Sequence, residues 1–213
     1  MNDILNVLFV LILTLNLFAL GNGRILSIIR IVAAQGVILG IIPLLMHSEL
    51  TIPELISSAA AILLKAIIIP AMMTKALRDA KIKREVEPLV GLLPSTIIGA
   101  LATAITFLAF ARWNTTVEGH ALLIIPTSIS TVIAGFILLT TRFKALSQVL
   151  GYLVLENGIY IFSLLLIEAI PLVVEMGMLL DLFVSVFVVS IITNHINRAF
   201  SSLDTRKLAT LKE

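Results

Sequence analysis

Seven stretches of mainly apolar residues, each about twenty long and parted by short polar connections, decide what this chain can become. They fall at 3–20, 25–46, 53–74, 89–111, 121–140, 147–167 and 173–193. A helix of about 20 residues rises about 30 Å, the thickness of a bilayer's hydrocarbon core. The connections hold the breakers and most of the charge, beginning with Gly21-Asn22-Gly23 and ending with Glu168 to Pro171. Of 213 residues, 59% are hydrophobic and 13% are Asp, Glu, Lys or Arg, about half the charged share of a soluble domain. A water-soluble fold cannot cover that much apolar surface with so few charges. The predicted class is therefore all-α: a polytopic transmembrane helix bundle of about seven helices.

The first stretch is expected to stay as a helix. A secretory signal begins with basic residues, whereas here the first charge is Asp3 and no basic residue precedes Arg24. Basic residues gather in alternate connections: Arg24, the segment from Lys75 to Arg84, Arg142 with Lys144, and the tail. The other connections are mainly acidic, with Glu49, Glu118 and Glu168 against the single Arg112. The asymmetry predicts a multi-pass protein of the cytoplasmic (inner) membrane with its N-terminus outside and its C-terminus cytoplasmic. So few and so dispersed basic residues predict no nucleic-acid partner. The absence of Cys excludes disulfides and thiolate-held metals.

A faint internal echo suggests how the chain is organised. Arg24-Ile-Leu-Ser27 opens the second stretch and Lys144-Ala-Leu-Ser147 opens the sixth. Each then carries a polar residue in mid-span, Gln35 and Glu156, and each following stretch carries a charge, Lys65 and Asp181. Four helices apart, such copies share one orientation, a parallel duplication of a three-helix unit. The organisation read from this is an N-terminal three-helix unit (1–74), a charged cytoplasmic loop (75–88), a linking helix (89–111), a C-terminal three-helix unit (121–193) and a cytoplasmic tail (194–213).

No nucleophile elbow, phosphate loop or zinc-protease motif occurs. The candidate chemistry lies in ionisable groups at membrane depth, each costing about 2.5–3.5 kcal/mol on insertion scales unless paired, wetted or neutralised. Glu156 lies about ten residues into its span, on a stripe with Tyr152, Tyr160 and Ser163 at helical spacing. It is a protonatable carboxyl or, alternatively, a structural acid bonded to a neighbouring helix. Lys65 precedes Pro70, which cannot donate to the carbonyl of Ala66. It is a candidate for reversible proton transfer or, alternatively, for a static pair with an acid on a partner subunit. Asp181 has Ser185 one turn on and is either a third station or a solvated interface acid. Gln35, Asn157 and Tyr160 are auxiliary candidates along the same path. Ser95, Gly99 and Thr103 form a small-residue ridge expected to pack against another helix.

Gly151-Tyr-Leu-Val-Leu-Glu-Asn-Gly158 resembles the glycine–apolar–Glu-Asn-Gly signature of the hydrogenase-4 component E family. Lys65 with Pro70, Gln35, Asp181 and the tail from Leu203 to Leu211 are also similar to that family's pattern. The C-terminal three helices resemble the K-type subunit of respiratory complex I and the related C-type subunit of multisubunit cation/proton antiporters. In those subunits two intramembrane Glu residues stand on consecutive helices; Glu156 and Asp181 would match them here, and Gln35 and Lys65 in the N-terminal copy. The resemblance implies a non-catalytic membrane subunit of a group 4 nickel–iron hydrogenase or formate hydrogenlyase-type complex. Its partners would be antiporter-like and hydrogenase-anchoring membrane subunits. The chain itself would bind no cofactor; the NiFe centre and Fe–S clusters would sit on partner subunits.

On this reading Glu156, Lys65 and Asp181 form a proton relay that couples electron transfer to ion translocation. Two other readings fit the same residues: a subunit of a multisubunit cation/proton antiporter without a redox partner, and a structural membrane scaffold.

Overall fold

A computed structural model of the chain describes residues 2–46, 52–79, 88–113 and 121–165. Its elements are α1 (Asn2–Gly21), α2 (Ile25–Met46), α3 (Ile52–Ile62), a π-helical turn (Leu63–Ile68), α4 (Ile69–Asp79), α5 (Leu92–Trp113), α6 (Ala121–Thr141) and α7 (Ala145–Ser163). There is no β-strand among the described residues, and the expected all-α bundle is what they form. Among the described residues, five helical stretches are long and apolar enough to cross a membrane: Asp3–Gly21, Ile25–Met46, Ser58–Lys75, Leu92–Ala111 and Leu123–Thr141. The more polar α7 corresponds to the sixth predicted span. The seventh span at 173–193, Asp181 within it, and the tail at 194–213 lie outside the described residues.

The third span is built as one interrupted rod, α3, π turn and α4, and it runs five residues past its predicted end to Asp79. Pro70 supplies the reason. An α-helix needs an N–H four residues after each carbonyl, and proline has none. The chain widens by one residue instead, so that the Ile69 N–H bonds the Leu64 carbonyl five residues back.

Packing is closest between α6 and α7, where Gly135 lies against the backbone of Leu155 and Gly158 against that of Val132. A side chain at either glycine would force the two backbones apart. The small-residue ridge of α5 packs as expected, with Gly99 against Leu17 and Leu20 of α1. The opposite face of α5 stands bare, with Ile98, Leu101, Ile105 and Leu108 all exposed. In water such a face would be a liability; acyl chains are its natural solvent.

The second and sixth spans begin alike, as their sequence echo suggested. Arg24 O accepts from Ser27 N and Ile28 N, and Lys144 O accepts from Ser147 N and Gln148 N. Arg142, which reads in the sequence as an orientation signal, is wholly buried, and its Nη2 donates to the Leu20 carbonyl at 2.7 Å.

Among the described residues, two apolar clusters make the core. One gathers Leu20, Ile28, Val32, Leu138, Leu150 and Val154; the other gathers Phe9, Ile12, Leu39, Ile42, Ile124 and Ile161. Four helices, α1, α2, α6 and α7, contribute to both. Along each of them a buried polar residue stands where the helix passes from one cluster to the other: Asn16, Gln35, Thr131 and Asn157.

Candidate functional site

A polar layer thus crosses the bundle between two apolar halves. Buried polar groups are tolerated when they satisfy one another, and these do. Asn157 Nδ2 donates to Gln35 Oε1 at 3.2 Å, Gln35 Nε2 to Asn16 Oδ1 at 2.8 Å, and Asn16 Nδ2 to Thr131 Oγ1 at 2.9 Å. Thr131 Oγ1 in turn donates to the Thr127 carbonyl at 2.7 Å.

An ion pair closes the layer at its other end. Lys65 Nζ lies 3.0 Å from Glu156 Oε1, with the two side chains 13% and 3% exposed. The same ammonium is 3.5 Å from Asn157 Oδ1 and 4.9 Å from the centre of the Tyr160 ring. A cation over an aromatic face gains electrostatic attraction there. Lys65 therefore finds an acid within its own chain, on the helix that carries the Glu-Asn-Gly motif.

The position of Lys65 has a local cause. It sits in the π turn that Pro70 forces, so its side chain leaves the rod where the helical register slips. Gly36 on α2 lets this turn approach. A Cβ added at Gly36 would fall 2.8 Å from the carbonyl carbon of Lys65 and 2.9 Å from its Cβ. On the partner side, Glu156 and Asn157 are adjacent residues of α7, one facing the ammonium with its carboxylate and the other with its amide oxygen.

The magnitudes explain why such a pair can exist in a membrane. At 3.0 Å and an effective dielectric of about 20, opposite charges attract by about 5 kcal/mol. Inserting the two charges separately costs about 5–7 kcal/mol. The two terms are of similar size, so pairing offsets most of the cost of placing the charges there.

Of the residues singled out in the sequence, Lys65, Glu156, Gln35, Asn157 and Tyr160 come together in this layer. Asp181 lies outside the described residues. Asn16 joins the layer without having been anticipated. The available signal was a lone amide in the otherwise apolar first span, Leu15-Asn16-Leu17. Thr131 joins the layer as well, donating to the Thr127 carbonyl and accepting from Asn16.

Apolar helices closed around a buried ion pair define a multi-pass integral membrane protein. The chain is 34% identical over 192 residues, 88% of its own length and 86% of the relative's, to "Uncharacterized protein Rv0085" of Mycobacterium tuberculosis, and it belongs to that protein's family. It is also similar to "Hydrogenase-4 component E" of Escherichia coli and of Shigella flexneri, each 25% identical over 158 residues, 74% of this chain and 73% of the relative. No protein-family model and no solved structure matches it.

Proposed function

We propose that the chain is a membrane subunit of a hydrogenase-type complex, and that its Lys65–Glu156 pair exchanges protons as part of ion movement coupled to electron transfer. The observation that carries this reading is the ion pair itself, two oppositely charged side chains held 3.0 Å apart in a nearly solvent-free layer. Intramembrane charges are costly, and ion and proton pathways are among the places where they persist. The similarity to hydrogenase-4 component E supports the choice of complex. Redox chemistry would belong to partner subunits, and this chain would respond to it through the field at Lys65 and Glu156. Asp181 is proposed as a further station of the same path. The basic connections support a cytoplasmic C-terminus in the inner membrane.

The test is Glu156→Gln in the intact complex, reconstituted in vesicles. Hydrogen turnover and subunit composition should be unchanged while ion movement per hydrogen is lost. Unchanged ion movement would remove the exchange role and leave a scaffold. Purification of the chain with antiporter subunits but no hydrogenase subunits would replace the complex named here.

A further inference from the structure

The hydrogen bonds that link Lys65, Asn157, Gln35, Asn16, Thr131 and the Thr127 carbonyl run one way. A carbonyl only accepts, so the Thr131 hydroxyl gives its single proton to the Thr127 carbonyl. Thr131 Oγ1 must then accept from Asn16 Nδ2. That turns Asn16 Oδ1 toward Gln35 Nε2 and Gln35 Oε1 toward Asn157 Nδ2. Asn157 is left presenting its oxygen to Lys65 Nζ. At that end an ammonium only donates. Both ends impose the same direction, so the orientation of all three amides follows from the bonding pattern.

We propose that Asn157, Gln35, Asn16 and Thr131 are positioning residues, a one-way hydrogen-bond array that holds Lys65 as an ammonium opposite Glu156 and carries no protons itself. The proposal rests on the reading of Lys65 and Glu156 as the exchanging pair. An amide nitrogen offers no lone pair to an incoming proton, so three amides in series interrupt a proton wire. What they do transmit is polarity. Each amide turns its oxygen toward the cation and its N–H₂ away, and dipoles so aligned strengthen one another in a low-dielectric interior. The array thus ties the charge of Lys65 to the packing of α1 and α6, helices the lysine itself does not belong to. Protons that reach the pair come and go through the Glu156 carboxylate rather than along Gln35 and Asn16.

Two measurements on the full chain test this. The first is nitrogen-15 NMR of the side-chain amides in lipid nanodiscs, comparing Lys65→Met with wild type. The signals of Gln35 and of Asn16, the third amide along the array from Lys65, should both move when the cation is removed. A folded variant with the Asn16 signal unmoved overturns the array. The second is ion movement per hydrogen in vesicles holding the intact complex. Gln35→Glu and Asn16→Asp keep the shape and, as neutral acids, keep one donor and one acceptor, whereas Gln35→Met and Asn16→Leu keep the approximate volume and lose both. A positioning array therefore keeps the wild-type ratio in the two acids and in Thr131→Ser, and loses it several-fold in Gln35→Met and Asn16→Leu. Ratios above wild type in Gln35→Glu and Asn16→Asp would put the amides on a proton wire, and wild-type ratios in Gln35→Met and Asn16→Leu would show that the amides position nothing; either result overturns the proposal. If Glu156→Gln changes nothing while the amide signals respond as expected, the array stands and the exchanging-pair reading falls.

Discussion

Gly36 and Lys65 meet backbone to backbone: a Cβ built on the glycine would lie 2.8 Å from the lysine's carbonyl carbon and 3.0 Å from the next residue's nitrogen. Nothing there can yield by rotating a side chain. Gly36→Ala must push the π turn away from α2 and draw Lys65 back from Asn157 and Glu156. Overpacking of this kind costs about 1–3 kcal/mol. We expect a lowered unfolding temperature in detergent together with reduced ion movement per hydrogen. Wild-type values for both would show that the turn has room to move.

The ion pair predicts a non-additive mutant cycle. Lys65→Met strands a carboxylate among apolar neighbours, and Glu156→Met strands an ammonium. Breaking a buried pair on one side typically costs about 3–5 kcal/mol, while replacing both partners by apolar residues is often neutral or stabilising. The double variant should therefore be at least as stable as either single one while moving no ions. Thermal unfolding of the four proteins in the same detergent checks it. Single losses that simply add in the double variant would mean that the two charges do not depend on each other.

How much of this was legible in the sequence depends on the kind of interaction. Span positions follow from length and apolarity, which lipid imposes on any chain, and α1, α2 and α6 lie within two residues of their predicted ends. Lys65 and Glu156 were visible because a charge in an apolar run has no cheap explanation. Their pairing was not, since nothing local in 62–70 or 151–158 says which helices touch. Asn16 was missed because an amide costs less than a charge and so stands out less. For a related reason the burial of Arg142 was not legible. Positive-inside logic counts basic residues by position and is silent about whether the guanidinium turns to water or into the bundle.

The slip of register at Lys65 yields a prediction about Pro70. Pro70→Ala restores the missing N–H and lets the Ala66 carbonyl take an ordinary α-helical partner. The π turn then loses the feature that favours it. Because a residue of the wider turn faces differently from its α-helical counterpart, Lys65 should swing away from Glu156. We expect unaltered or raised helix stability, since proline inside a helix costs about 3 kcal/mol relative to alanine, combined with impaired ion coupling. Full coupling in Pro70→Ala would show that tertiary packing, chiefly against Gly36, holds the turn without help from the proline.

Arg142 makes the opposite prediction, stability that survives loss of a charge. Its guanidinium is wholly buried and bonds the Leu20 carbonyl through Nη2, but Nε and Nη1 have no hydrogen-bond partner among the described residues. One bond to a charged donor is worth about 1.5–3 kcal/mol, whereas desolvating an ion costs several. Burial accordingly pushes the guanidinium below its ordinary pKa. A base depressed by folding is penalised while it is charged in both states, and the penalty eases only as pH rises through the folded value. Arginine stays protonated in proteins over the working range, so this contribution is constant between about pH 6 and 9. Arg142→Met, which keeps the volume and removes the charge, should match or exceed wild type in unfolding temperature, by the same margin across that range. Arg142→Ala should instead lose stability by about 2–3 kcal/mol through the cavity it leaves. A loss in Arg142→Met as large as that in Arg142→Ala would mean that the bond to Leu20, and not the volume of the side chain, holds α1 against the end of α6.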